Sequence, residues 1–378
     1  MAQRILVTGG AGFIGTHLTR ALLAAGHAVR VLDNFHAQVH PPEAAQARRC
    51  QGIELIDGDI ELIDGDIRDP AAVAEALHGV DKVVHLAAEV GVGQSMYAVD
   101  RYVAVNDLGT AVLFQALIAR PVQRVVVASS MSVYGEGRYR APDGRLVDDA
   151  VRPAQRPAGA GWDPLGADGA SLTPVATPED KPPSLASVYA LTKYVQERLA
   201  LTVAPAYGMT AVALRLFNVY GPGQALSNPY TGVLAIFAAR LANNERPAVF
   251  EDGAQRRDFV HVDDVVAAFQ LALDHPAAPG RVFNIGSGRD VSIAEVARAM
   301  AAAMGRERLV PEFLGKARAG DIRHCFADIT RARTELGFAP RRGLAESLPE
   351  LAAWVARQRA VDLVEQARRE LEQRGLVA

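Results

Sequence analysis

Gly9-x-x-Gly12-x-x-Gly15 limits this chain more than any other feature. The glycines follow the apolar run Arg4 to Thr8 and open a stretch, Phe13 to Gly26, with apolar residues at helical spacing. A buried strand feeding a helix through a glycine-rich turn predicts a doubly wound α/β sheet. Gly9 permits the tight turn, Gly12 lets a pyrophosphate approach the backbone, and Gly15 lets the helix pack close to the strand. Phe13 and Ile14 begin that helix, whose N-terminus then faces the anion.

The alternation continues. Val29 to Leu32, Lys82 to Leu86 and Arg124 to Ala128 read as further buried strands with helical segments between them. That order predicts a parallel sheet covered on both faces, with ligands at the carboxyl ends of its strands. Asp33, followed by Asn34, ends the second strand. Its carboxylate is placed to accept from ribose hydroxyls and to repel a 2′-phosphate, so the expected cofactor is NAD rather than NADP.

The second motif is Tyr189-Ala190-Leu191-Thr192-Lys193. Residues four apart share a helix face, so a phenol and an ammonium become neighbours. That ammonium and the positive nicotinamide are expected to lower the tyrosine pKa from about 10 and make it an acid/base. Ser129, Ser130 and Ser132 lie at the carboxyl end of a strand in the same half. Each could hydrogen-bond a reacting oxygen, and the residues alone leave the choice open.

Length and charge set outer limits. The chain has 378 residues and a net charge of −3, enough for one large α/β unit or two joined lobes. Nothing in that balance points to nucleic acid or a membrane as partner. No apolar run is expected to span a bilayer, and no signal-peptide pattern precedes the first strand. Cys50 and Cys325 form no metal or redox spacing and suit a reducing, cytoplasmic compartment. His85, in an apolar strand, reads as a packed histidine. His261-x-Asp263-Asp264 reads as a helix start, and no metal is expected.

The expected organisation is an NAD-binding Rossmann domain over 1–216 and a smaller, mainly substrate-binding lobe over 217–378. Segments at about 255–285 are expected to return to the first domain. Residues 136–184 shift to Pro, Gly, Ala and Asp without periodicity and read as a long insertion, either a lid or a surface excursion. Glu54–Ile60 is repeated at once as Glu61–Ile67. One copy is expected to form the third strand. The second is favoured to lead into the next helix, with Asp69 at its N-cap and Pro70 at N1.

The chain resembles the extended short-chain dehydrogenase/reductases, in the nucleotide-sugar epimerase/dehydratase branch. The likeness covers nearly the whole chain: Thr8 to Gly15, His85-Leu86-Ala87-Ala88, Asn106, Ser130 to Gly135, Tyr189 to Lys193, Arg215 to Pro222, Arg257 to His261, and Gly320-Asp321. It implies Ser130 as the catalytic hydroxyl, Tyr189 as the base and Lys193 as its partner. It implies cofactor contacts at Asp66 and Ile67, with Asp59-Ile60 as rivals from the repeat, and at Leu86, Ala87, Ala88 and Asn106. Substrate contacts are expected at Ser130, Met131, Ser132, Asn218, Arg257, Arg318 and Asp321, with the two arginines on a diphosphate. Related 4,6-dehydratases carry Asp-Glu after the catalytic hydroxyl, whereas Met131 and Ser132 stand here. A thioether cannot protonate a leaving hydroxyl, which favours 4-epimerisation through a 4-keto intermediate. Asn228 to Phe237 and Gly320 to Asp328 resemble dTDP-L-rhamnose 4-epimerases, with UDP-galactose and UDP-glucuronate 4-epimerases as alternatives. A dehydratase or reductase acting on a nucleotide sugar is a further alternative. The helices from Asn106 to Ala119 and from Ser187 to Tyr207 resemble pairs that build dimer interfaces, so a homodimer is expected.

Overall fold

The computed structural model describes residues 2–40, 60–152, 161–230, 232–358 and 362–377. Its centre is a seven-stranded parallel sheet. Across the sheet run Val282–Ile285, Thr210–Leu216, Arg124–Ser130, Lys82–His85, Arg4–Thr8, Ala28–Asp33 and Ile60–Asp64. The central strands are buried on both faces, as Val83, Val84, Val125, Val126 and Val127 show. This is why they read as apolar runs rather than alternating ones. Strand order reverses beside Arg4–Thr8, so a crevice opens there at the carboxyl ends.

The second copy of the repeat supplies the edge strand. Arg30, Leu32 and Asp33 pair with Glu61, Ile63 and Asp64. Asp69 then caps the helix Pro70–Ala76, accepting from the Ala71 amide at 2.9 Å. Ile60 lies in this strand, while Glu54–Asp59 of the first copy lie outside the described residues, as does Cys50.

Two expectations need correction. The 136–184 stretch is not structureless, because Arg138–Arg140 pairs antiparallel with both Leu146–Val147 and Thr173–Val175. Strands of two or three residues are too short to leave a period in the sequence. Helix Val99–Ala119 is long and apolar enough, by length and composition, to cross a membrane. Leu113, Phe114 and Leu117 pack under the sheet, and Asn106 and Thr110 are fully buried, as in the core helix of a globular fold.

The smaller lobe centres on Arg256–His261. This strand pairs with Asn218–Tyr220, His324–Cys325 and Asp290–Ser292. Its core includes Tyr220, Phe237, Phe259, Met300 and Leu351. Within 255–285, Arg256–His261 belongs to this smaller sheet. The next helix, Val262–Asp274, packs its Phe269 with Leu18 and Leu22 in the main core, and Val282–Ile285 joins the large sheet.

Candidate functional site

Both lobes border one cavity of about 860 Å³. The glycine turn forms its floor. Gly9 has φ +70°, and a Cβ there would lie 2.8 Å from the Ala87 nitrogen. A Cβ on Gly15 would lie 2.5 Å from the Gly9 oxygen. Helix Phe13–Ala24 starts at Gly12 with no side-chain cap, so its first-turn amides stay available to an anion. Gly9, Gly12, Phe13, Ile14 and Gly15 all line the cavity.

Asp33 and Asn34 line it as well. The Asp33 carboxylate accepts from the Ala11 amide at 3.0 Å and the Phe35 amide at 2.9 Å, which fixes it at the strand end. Ile67, Leu86, Ala87 and Ala88 complete this side. Asp66 and Asn106 stand behind the lining. Asp66 is held by Arg68, whose guanidinium keeps that carboxyl well below the usual range, and accepts from Asn34 at 3.1 Å. Asn106 sits in a π-helical stretch, Val103–Leu108. It accepts from the Glu89 amide at 2.7 Å and donates to Thr192 Oγ1 at 2.9 Å, pinning the loop after Lys82–His85 to the Tyr189 helix. Helix irregularities of this kind often accompany functional sites.

The helix Val188–Ala206, capped by Ser187, presents Tyr189 and Lys193 to the cavity. Lys193 Nζ donates to Gln196 Oε1 at 2.5 Å. Gln196 Nε2 lies 3.1 Å from His85 Nε2, and His85 Nδ1 lies 2.7 Å from Thr8 Oγ1. His85 is therefore packed and satisfied. Burial, with Lys193 nearby, pulls its pKa down to about 3. Burial also pulls Lys193 down to about 7. Burial pushes the Tyr189 phenol above its ordinary value, partly offset by Ser130 beside it. The same burial disfavours the charged form of both groups, raising the phenol and lowering the ammonium.

The three serines now separate. Ser129 donates to the buried Glu197 at 2.7 Å, and Glu197 is held by Arg215 at 2.7 Å. Ser130 lies beside Tyr189 and accepts from the Ser132 amide at 3.2 Å. Ser130, Met131 and Ser132 all line the cavity.

Asn218, Arg257, Arg318 and Asp321 face the same space from the smaller lobe. Among the described residues, the buried Asn218 Oδ1 has no hydrogen-bond partner, nor do the buried oxygens of two other lining amides, Gln224 and Gln255. Arg257 is parked on backbone carbonyls, donating to Arg323 O at 2.9 Å and to Ile322 O. Arg318 pairs with Asp321 at 3.1 Å and lies 4.6 Å from the Phe250 ring centroid. Sequence reasoning missed Gln224 and Gln255, because a lone glutamine carries no local signal. It also missed Tyr102, whose ring meets Tyr189 edge-on at 6.4 Å.

An uncapped glycine cradle, a carboxylate at the end of the second strand, and Ser130, Tyr189 and Lys193 on one cavity fit an NAD-dependent enzyme of this fold. Residues 5–156 and 166–286 match the NAD dependent epimerase/dehydratase family, and the chain belongs to it. It is 36% identical to a dTDP-L-rhamnose 4-epimerase of Burkholderia thailandensis, over 94% of this chain and 96% of that one. It is 34% identical to a UDP-glucose 4-epimerase of Mycolicibacterium smegmatis, over 92% and 96%. Among solved structures, MoeE5 in complex with UDP-glucuronic acid and NAD superposes with a TM-score of 0.73 at 33% identity, over 94% and 99%. The chain is an NAD-dependent enzyme of the epimerase type.

Proposed function

We propose that the protein is a nucleotide-sugar 4-epimerase that interconverts dTDP-L-rhamnose and dTDP-6-deoxy-L-talose. The observation that carries this reading is the convergence of Ser130, Tyr189 and Lys193 on one cavity, with Met131 and Ser132 also lining it. NAD, when bound, supplies the two-electron acceptor and donor that carries the C4 carbinol to the ketone and back. Tyr189 takes the O4 proton and later returns it, while Ser130 holds O4 and relays that proton. Lys193 turns from Gln196 towards the cofactor and Tyr189. The neighbourhood of a cationic nicotinamide would offset the burial that raises Tyr189. No carboxylate stands at Met131 or Ser132 to drive elimination, which supports epimerisation over dehydration. Gly9, Gly12 and Gly15 hold the pyrophosphate, Asp33 the ribose, and Asp66 and Ile67 border the adenine. Asn218 contacts the sugar or diphosphate. Arg257 and Arg318 exchange their present partners for diphosphate oxygens.

A homodimer belongs to the same reading. Val99, Val103 and Leu108 on one helix and Leu191 on the other are exposed apolar residues. Two copies pairing these helices would bury them. The buried, unpaired Cys325 thiol suits a reducing cytoplasm.

Incubation with dTDP-L-rhamnose, UDP-galactose and UDP-glucuronate, each followed by NMR of the ring protons, tests the reaction. Inversion at C4 of the dTDP sugar without net redox change is expected. Inversion of a UDP sugar alone would move the substrate assignment, and no inversion of any would sink it. Tyr189→Phe should lower kcat by roughly 10²–10⁴-fold with NAD retained.

A further inference from the structure

The helix Val364–Gln373 closes one side of the active cavity. Val364, Ala367, Arg368 and Leu371 line the same space as Ser130 and Tyr189. Of its ten residues only Ala367 and Leu371 are buried, so apolar packing holds it weakly. Polar contacts do the rest. The phenol oxygens of Tyr97 and Tyr230 approach to 2.6 Å, and both meet one Glu370 oxygen, at 3.1 and 3.0 Å. Arg374 lies 4.3 Å from the Tyr97 ring centroid.

This cluster reaches the chemistry through few steps. Tyr230 packs on Gly91, where an added Cβ would sit 3.0 Å from the Tyr230 Cβ. The Tyr102 hydroxyl donates to the carbonyls of Val90 and Gly91, at 2.8 and 2.9 Å. The Tyr102 ring borders Tyr189.

We propose that Glu370 is a positioning residue that latches the C-terminal helix through Tyr97 and Tyr230, keeping the ketone intermediate in the cavity until it is reduced again. The proposal rests on the epimerase reading above. Oxidation at C4 breaks the C–H and O–H bonds, sending two electrons and a hydrogen to NAD as hydride and a proton to Tyr189. If the ketone departs before the reverse transfer, the protein is left with reduced cofactor and an extra proton and cannot start another cycle. Retaining the ketone is therefore a requirement distinct from making it, and the helix that walls the same cavity as Tyr189 would supply it. A carboxylate shared by two hydroxyls forms charge-assisted hydrogen bonds, and losing it would shift the closed-to-open ratio by roughly tenfold or more.

The test compares wild type, Glu370→Ala, Glu370→Gln and the double variant Tyr97→Phe/Tyr230→Phe as NAD-loaded enzymes turning over the sugar found by NMR. Reduced nicotinamide absorbance and free ketone, trapped in the filtrate with borodeuteride, are read per turnover. Both should rise about tenfold in Glu370→Ala and in the double variant, and less in Glu370→Gln, with a higher KM. Hydrogen exchange of the 364–373 amides should slow on substrate binding in wild type and not in Glu370→Ala. Wild-type levels of trapped ketone and reduced cofactor in both disrupted forms, or no ligand protection of the helix in wild type, would overturn the latch while leaving the epimerase reading standing. A wild-type protein that inverts no nucleotide sugar overturns both, and the NMR assay alone reveals that.

Discussion

Lys193, His85 and Asn106 on the sheet side of the cleft hold protein partners, whereas Asn218, Gln224 and Gln255 across it each bury an oxygen without one among the described residues. Around Lys193 the sheet side is satisfied within the protein, while the first-turn amides after Gly12 stay open to a ligand. Its network runs from Thr8 through His85 and Gln196 to Lys193 without a gap. The smaller lobe instead keeps unspent acceptors, and its arginines rest on carbonyls and on Asp321. A buried acceptor without a donor costs stability until a ligand supplies one. A cofactor regenerated at every turnover suits a rigid seat, and a sugar that must enter, turn and leave suits groups that exchange partners.

The largest expected effect lies on the sheet side. Gly15→Ala forces a Cβ to 2.5 Å from a backbone oxygen. Stability should drop by about 1–3 kcal/mol, and copurifying NAD should be lost. Urea unfolding and cofactor content check this, and unchanged values in both would break the idea of a rigid seat.

Asn218→Ala should act with the opposite pattern. KM should rise about tenfold, equivalent to one hydrogen bond of about 1.4 kcal/mol. Ligand-free stability should stay level or increase, since an unpartnered buried oxygen disappears. A clear loss of ligand-free stability would place Asn218 with the structural groups.

The last expected effect is a slope with pH. His85 has an ordinary pKa of 6.5 and is held near 3 when folded, so only the unfolded chain binds the proton between those values. Its contribution to stability is complete above pH 6.5 and is lost as pH falls towards 3, by about 1.4 kcal/mol per pH unit. Urea midpoints at pH 7 and pH 5 should separate less in His85→Gln than in wild type. Equal separations would mean that the network tolerates a charged histidine.

Local spacing carried the sheet, the glycine cradle, Asp33 at a strand end and the Tyr189–Lys193 pair. Each depends on backbone periods of two or 3.6 residues, which any stretch of sequence displays. The tertiary structure decided matters of partnership. It turned Ser129 to Glu197 and gave Ser130 the Ser132 amide, though the two serines are adjacent in sequence. It set Lys193 on Gln196 and buried Tyr189, which pushes its phenol up, because burial depends on the whole fold. It also brought Glu370 to Tyr97 and Tyr230, residues far apart in the chain. No local period records such meetings, since they arise only when crossovers close and the two lobes share one cavity.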